Sequence, residues 1–189
     1  KTVAYVKSKL DDFGLSYKEY VNGNGLSVLI EGSEPGKCLA IRADMDALPV
    51  AEETGLEFAS THPGNMHACG HDSHTAIALT AAKILNENKD KLKGSVKFIF
   101  QPGEEIPGGA KPMIDEGVLE NPKVDFIIGM HGGHLAEIPR GSIAFKDNEM
   151  MAAMDKFTIE VNGKGGHGAS PHLAIDPIVI SGEILLGLQ

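Results

Sequence analysis

Apolar residues recur at Val3, Val6, Leu10 and Phe13, a spacing of three to four that stops at Gly14 and predicts a short amphipathic helix. The period then shortens. Residues 26–30 and 37–42, separated by the turn residues Ser33-Glu34-Pro35-Gly36, read as two neighbouring strands. Residues 75–85 are Ala-rich and periodic behind two candidate caps, Asp72 and Ser73, so a helix is expected just after a histidine-dense loop. Residues 96–100 read as the next strand, 113–119 as a short helix and 124–130 as a buried strand. Such alternation predicts an α/β fold with a mixed sheet flanked by helices. Near residue 150 the texture changes. Met150, Met151 and Met154 read as hinge packing, Phe157-Thr158-Ile159-Glu160-Val161 alternates as a strand does, and a Gly-rich loop follows. Asp176-Pro177 then marks a helix start, with an N-cap and a proline at the first helical position. A domain boundary is placed at about residue 153, giving domains 1–153 and 154–189.

Charge narrows the partners. The chain carries 17 Lys+Arg against 26 Asp+Glu, a formal net charge of −9. That balance repels phosphate backbones and anionic headgroups, so neither nucleic acid nor a membrane surface is an expected partner. No apolar run approaches the roughly 20 residues that span a bilayer, and the opening stretch does not have the pattern of a signal peptide. Two cysteines in 189 residues do not make a disulfide framework, which favours a reducing, cytoplasmic setting. Cys38 sits in an apolar run and reads as core, whereas Cys69 lies among histidines.

In open α/β sheets ligands bind beyond the carboxyl ends of the strands. Three polar clusters stand there: Asp44 and Asp46 after residues 37–42, Glu104 and Glu105 after 96–100, and His131 after 124–130. His67-Ala68-Cys69-Gly70-His71-Asp72-Ser73-His74 enters the helix between the first two. Thiol, imidazole and carboxylate together form a donor set for a transition metal such as zinc, unlike the all-oxygen cages of calcium or magnesium. Each cluster alone is more often a solvated turn or exposed charge than a site, and their joint placement is what points to chemistry. Adjacent glutamates on a regular strand point to opposite faces, so Glu104 and Glu105 can serve one site only if Pro102 and Gly103 break the strand.

Five ordered motifs then carry a resemblance. Ile41-Arg42-Ala43-Asp44-Met45-Asp46-Ala47-Leu48-Pro49, Met66-His67-Ala68-Cys69-Gly70-His71-Asp72-Ser73-His74, Gln101-Pro102-Gly103-Glu104-Glu105, Gly129-Met130-His131 and Gly163-Lys164-Gly165-Gly166-His167-Gly168-Ala169-Ser170-Pro171-His172 together resemble the M20 metallopeptidase family. The similarity is to its amidohydrolase branch of hippurate hydrolases, auxin-conjugate hydrolases and N-acetyl-diaminopimelate deacetylases. The resemblance implies a dinuclear-metal catalytic domain followed by the start of a smaller α+β lid or dimerisation domain. It implies Cys69, His71, Glu105 and His131 as ligands to two divalent transition-metal ions, zinc or manganese with cobalt or nickel as further options. Glu104 is implied as general base, Asp46 as the residue that orients a ligand, and His167 as a lid histidine that polarises the scissile carbonyl. The implied activity is hydrolysis of N-acyl amino acids, a small-molecule substrate, by a homodimer paired through the lid. A dipeptidase or carboxypeptidase of the same family and a non-catalytic metal-binding fragment of such an enzyme are the alternatives. The family's last histidine ligand lies beyond the lid, so on this resemblance the chain stops at Gln189, inside the lid's first helix, without it.

Three features are set aside. Gly163-Lys164-Gly165-Gly166-His167-Gly168 matches a dinucleotide fingerprint in form, but Pro171 and Pro177 delay the helix that should open at once. His62, His74, His134 and His172 are read as structural, with His74 capping or packing at its helix start. A redox role for Cys69 lacks a C-x-x-C partner.

Overall fold

The computed structural model describes residues 1–189 except Pro107, residues 134–138, Arg140 and Met154; the expectations for His134 and Met154 therefore lie outside the described residues. The chain divides into two compact units, Lys1–Ile138 and Pro139–Gln189. No helix among the described residues is long and apolar enough to cross a membrane.

The first unit is built on a five-stranded mixed sheet in the order β1-β2-β4-β3-β5. In chain order the elements are α1 (Thr2–Asp12), β1 (Tyr17–Tyr20), β2 (Gly25–Glu31), β3 (Glu34–Asp44), α2 (His71–Glu87), β4 (Lys93–Gln101), α3 (Ala110–Asp115) and β5 (Phe126–Gly129). The 3.6-residue period of α1 buries Val6 and Leu10 against one face of the sheet, where Val28, Ile30, Phe98 and Phe100 meet Ala78, Leu79 and Ala82 of α2. Because strand side chains alternate, the opposite face of β3 and β4 presents Ala40 and Ile99 to Tyr20, Met113 and Val118. Central β4 is thus covered on both sides.

Two expected neighbours are not neighbours. β2 and β3 flank β4, antiparallel and parallel to it respectively, so the link between them passes around the start of β4. Gly32 N–H donates to Gly94 O at 2.8 Å and Ser33 N–H to Leu92 O at 3.1 Å. Glycine is required at this crossing: a Cβ on Gly32 would lie 2.3 Å from Leu92 O, and one on Gly94, at φ +81°, would lie 2.2 Å from Lys37 O. A hydrophobic pattern marks strands but does not say which strand lies between them.

Three further differences follow from tertiary context. The second helix begins at His71, not Thr75, because Gly70 turns the chain at φ 83° and neither expected cap caps it. Ser73 Oγ instead donates to Gly70 O at 2.6 Å, and Asp72 Oδ1 accepts from the adjacent Ser73 N–H. β5 pairs with β3 at the sheet's edge, and its four residues are exposed rather than buried. In the second unit, residues 157–161 form no strand, since among the described residues no segment pairs with their backbone, and Met150 and Met151 are exposed. That unit has an antiparallel bridge between Lys164 and Ile175 and a helix, α4 (Pro177–Gly187). As expected, Asp176 caps α4, its Oδ1 accepting from Ile178 N–H at 2.9 Å.

Candidate metal centre

Strand register brings the polar clusters together. Asp44 is level with Gln101 across β3 and β4, and Arg42 is level with Gly129 across β3 and β5. His131, two residues beyond Gly129, therefore emerges beside Asp44, and Glu104 and Glu105 follow Gln101 at the same edge. α2 enters this edge at its N-terminus. Its early start at His71 puts His71 and His74 three residues apart on one helical face, both buried, with Thr75 Oγ1 donating to Asp44 O at 2.9 Å.

His71 lies at the centre. Its Nε2 is 3.7 Å from Asp44 Oδ2, 3.9 Å from Glu104 Oε2 and 3.7 Å from Glu105 Oε1. Both glutamates reach it because β4 ends at Gln101 and Gly103, at φ +62°, turns the backbone out of the strand. The other ring nitrogen, Nδ1, is 3.0 Å from Asp46 O and 3.3 Å from Asp46 Oδ1. Asp46 Oδ2 accepts from Glu105 N–H at 3.1 Å, so Asp46 braces the imidazole through its main-chain carbonyl and the glutamate segment through its carboxylate. Cys69 Sγ lies 3.3 Å from His131 Nε2.

The charges here do not balance by themselves. Asp44, Asp46, Glu104 and Glu105 crowd one edge, with Arg42 Nη1 on Asp44 Oδ2 at 2.7 Å as the adjacent fixed cation. Burial opposes ionisation of Asp44, but the bond from His74 and the charge of Arg42 outweigh it and hold the carboxyl below its ordinary value of 3.8. The same surroundings push the Cys69 thiol up to about 11, through burial first and then Glu105, Glu104 and Asp44. Asp46 Oδ1, His71 Nε2 and Glu105 Oε1 are buried without a hydrogen-bond partner among the described residues. A fourth such atom, His67 Nδ1, belongs to a residue lining a separate cleft with Lys1, Tyr5 and Asp72. Of these, His71 Nε2 and Glu105 Oε1 lie 3.7 Å apart, and buried donor atoms left without partners are what a bound cation would satisfy. Donor atoms of Cys69, His71 and His131, of His71, Glu104 and Glu105, and of Asp44, His71 and His74 each fall within 4.8 Å of one another. Mixed sulfur, nitrogen and oxygen donors suit a transition metal.

The profile of peptidase family M20/M25/M40 matches residues 40–183, a span that contains every one of these side chains. The chain belongs to peptidase family M20/M25/M40. Among its curated relatives it is 45% identical over 190 residues to the N-acyl-L-amino acid amidohydrolase of Geobacillus stearothermophilus, covering 100% of this chain and 50% of that protein. It is 52% identical over 157 residues to thermostable carboxypeptidase 1 of Saccharolobus solfataricus, covering 82% of this chain and 39% of that one. The crystal structure of the Bacillus subtilis YXEP protein, described as a dinuclear metal binding peptidase from the M20 family, superposes with a TM-score of 0.66 at 44% identity, over 70% of this chain and 37% of its own. The chain spans about half the length of the curated relatives it matches.

In this M20 chain the structure brings together six of the seven residues singled out from sequence: Asp46, Cys69, His71, Glu104, Glu105 and His131. The seventh, His167, lies in the second unit, exposed, with Nδ1 accepting from Ala169 N–H at 3.2 Å. Cys38 is buried, as its apolar run implies. Two more residues stand in the cluster: Asp44, which the sequence places beside Asp46 without a role of its own, and His74, which it marks only as a helix-start residue; His74 Nδ1 is 2.7 Å from Asp44 Oδ1, both buried. The available signal was the three-residue spacing of His71 and His74, which places both on one helical face once the helix is known to start at His71.

Proposed function

We propose that the protein is a metal-dependent amidohydrolase that cleaves the amide bond of N-acyl amino acids to release the amino acid and a carboxylate. The observation that carries this reading is the meeting of Cys69, His71, His131, Glu104 and Glu105 at one sheet edge around buried donor atoms that have no hydrogen-bond partner among the described residues. Cys69, His71, Glu105 and His131 would hold two divalent transition-metal ions, zinc or manganese, with Asp46 orienting His71. Divalent ions at such a centre supply an activated water and polarise the amide carbonyl. Glu104, the more exposed glutamate, is assigned as the base that takes the water's proton and returns it to the amine as the C–N bond breaks. His167 is assigned to the oxyanion on the strength of the family resemblance. The same resemblance supports a catalytic domain and a lid dividing at about residue 153, with a homodimer formed through the lid. Two free cysteines, one buried and one at the site, support a reducing, cytoplasmic setting.

A second reading, peptide carboxypeptidase, is favoured by the 52% identity to a protein of that name. Both activities break an amide beside a free carboxylate, so the distinction rests on what lies on the acyl side. The test is turnover of the full-length, metal-loaded protein on acetyl and benzoyl amino acids against unblocked dipeptides and longer peptides, with metal content measured on the same sample. Faster cleavage of the acylated amino acids supports the first reading; a preference for peptides supports the second. Stoichiometric metal with no turnover of either would leave a non-catalytic metal site.

A further inference from the structure

We propose that His74 is a positioning residue that sets the ring of His131 through the backbone of Gly132, and that it is not itself a metal ligand. The inference rests on the reading of His131 as a ligand. Both ring nitrogens of His74 are engaged: Nε2 accepts from Gly132 N–H at 2.7 Å, and Nδ1 lies 2.7 Å from Asp44 Oδ1. A backbone N–H can only donate, so Nε2 is bare and Nδ1 carries the proton and donates it to Asp44. No lone pair is left for a metal, although the donor atoms of Asp44, His71 and His74 lie close enough to one another to suggest one.

Gly132 relays this hold to its neighbour. The pairing of β5 with β3 stops at Gly129, and beyond it the backbone of residues 130–132 is tied back to the unit, among the described residues, by the bond from Gly132 N–H to His74. The carbonyl of the same residue accepts from His131 Nδ1 at 2.6 Å. With Nδ1 so engaged, Nε2 is the nitrogen left to face a metal, and it lies 3.3 Å from Cys69 Sγ. The rings of His74 and His131 lie 4.7 Å apart between centroids. Behind His74 the support continues through Asp44 to Arg42 Nη1 at 2.7 Å, and from Arg42 Nε to Gln101 Oε1 at 2.8 Å. One polar chain thus links the ends of β4 and β3, the first turn of α2 and the segment after β5. A ligand on an unpaired segment needs such bracing if its ring is to keep one orientation.

Asn and Gln separate this role from simple support of the helix start. Asn in place of His74 can reach Asp44 but not Gly132, whereas the longer Gln can offer its carbonyl oxygen to Gly132 N–H. The zinc affinity of the full-length protein, measured by chelator competition, should fall roughly 10- to 100-fold in His74→Asn, a typical penalty for losing a bond behind a metal ligand. It should be largely restored in His74→Gln. His131→Ala should weaken zinc at least as much, and adding His74→Asn to it should cost little more, because the effect runs through His131. Additive losses, or an unchanged affinity in His74→Asn, would overturn the proposal. An unchanged affinity in His131→Ala would overturn it together with the ligand reading on which it rests. Nitrogen-correlated NMR of the zinc-loaded wild type tests the same point without a variant: His74 should show the Nδ1-protonated tautomer, and a proton on Nε2 would refute the assignment.

Discussion

Lys97 offers a test of how the sheet holds the segment that leads to His131. It lies on central β4, only 3% exposed, and its ammonium donates to Val118 O at 3.1 Å, Glu120 O at 2.7 Å and Pro122 O at 3.0 Å. Three donors meet three carbonyls of the loop between α3 and β5. Lys97→Met keeps the apolar stem and removes the donors. A buried carbonyl left unpaired costs about 1–3 kcal/mol. Val118 is buried and bears the full penalty, whereas Glu120 is exposed and Pro122 half-buried, so water can serve the latter two at a smaller cost. Removing a buried ammonium relieves part of its desolvation, which leaves a net loss of about 2 kcal/mol. With a urea slope of about 2 kcal/mol per molar, the unfolding midpoint should drop by about 1 M.

The pH dependence of that difference has a definite sign. Burial pulls Lys97 below its ordinary value of 10.5, so over the window beneath that value the unfolded chain binds more protons than the folded one. Wild-type stability relative to Lys97→Met should therefore rise with pH across this window. Equilibrium urea unfolding of both proteins at neutral and alkaline pH measures it. A variant within about 0.5 kcal/mol of wild type at neutral pH, below the smallest penalty expected for one unpaired carbonyl, would show that the ammonium does not hold the loop.

Further tests address the crossing and the site. Gly94→Ala combines a left-handed backbone with a Cβ 2.2 Å from Lys37 O, and should destabilise by more than about 3 kcal/mol. Gly117→Ala, at φ +80° with nothing among the described residues within 4 Å, should cost only about 1–2 kcal/mol; equal thermal shifts would mean that the crossing is not tight. Glu104→Ala should lower turnover by about 10²–10⁴-fold with metal content nearly intact, whereas Glu105→Ala should lose metal. Reversed phenotypes would exchange their assignments. Cys69→Ser should reduce metal retention on dialysis while Cys38→Ser, in the core, leaves it unchanged, and equal loss from both would remove Cys69 from the ligand set.

Much of the molecule was legible from the chain because its signals are local. The period of Val3, Val6 and Leu10 marks α1, the apolar runs mark β2 and β4, and Asp176-Pro177 marks the capped start of α4, since each is decided by residues within one or two turns of one another. The grouping of the candidate site was readable to the same extent: the clusters after the strands needed only the rule that ligands gather at the carboxyl ends of an α/β sheet. What the chain alone did not contain was everything that depends on which segments lie side by side. β4 separates β2 from β3 because glycines at 32 and 94 let the link cross its start, a contact between residues about sixty positions apart. Residues 124–130 and 157–161 have the apolar content of strands, but burial and pairing depend on neighbours, so one lies exposed at an edge and the other forms no strand. His74 looked like a helix-start residue until packing placed its two nitrogens between Asp44 and Gly132. Periodicity records which face of a segment avoids water; the partner of each polar atom is set by the three-dimensional approach of elements distant in sequence, and only the fold specifies it.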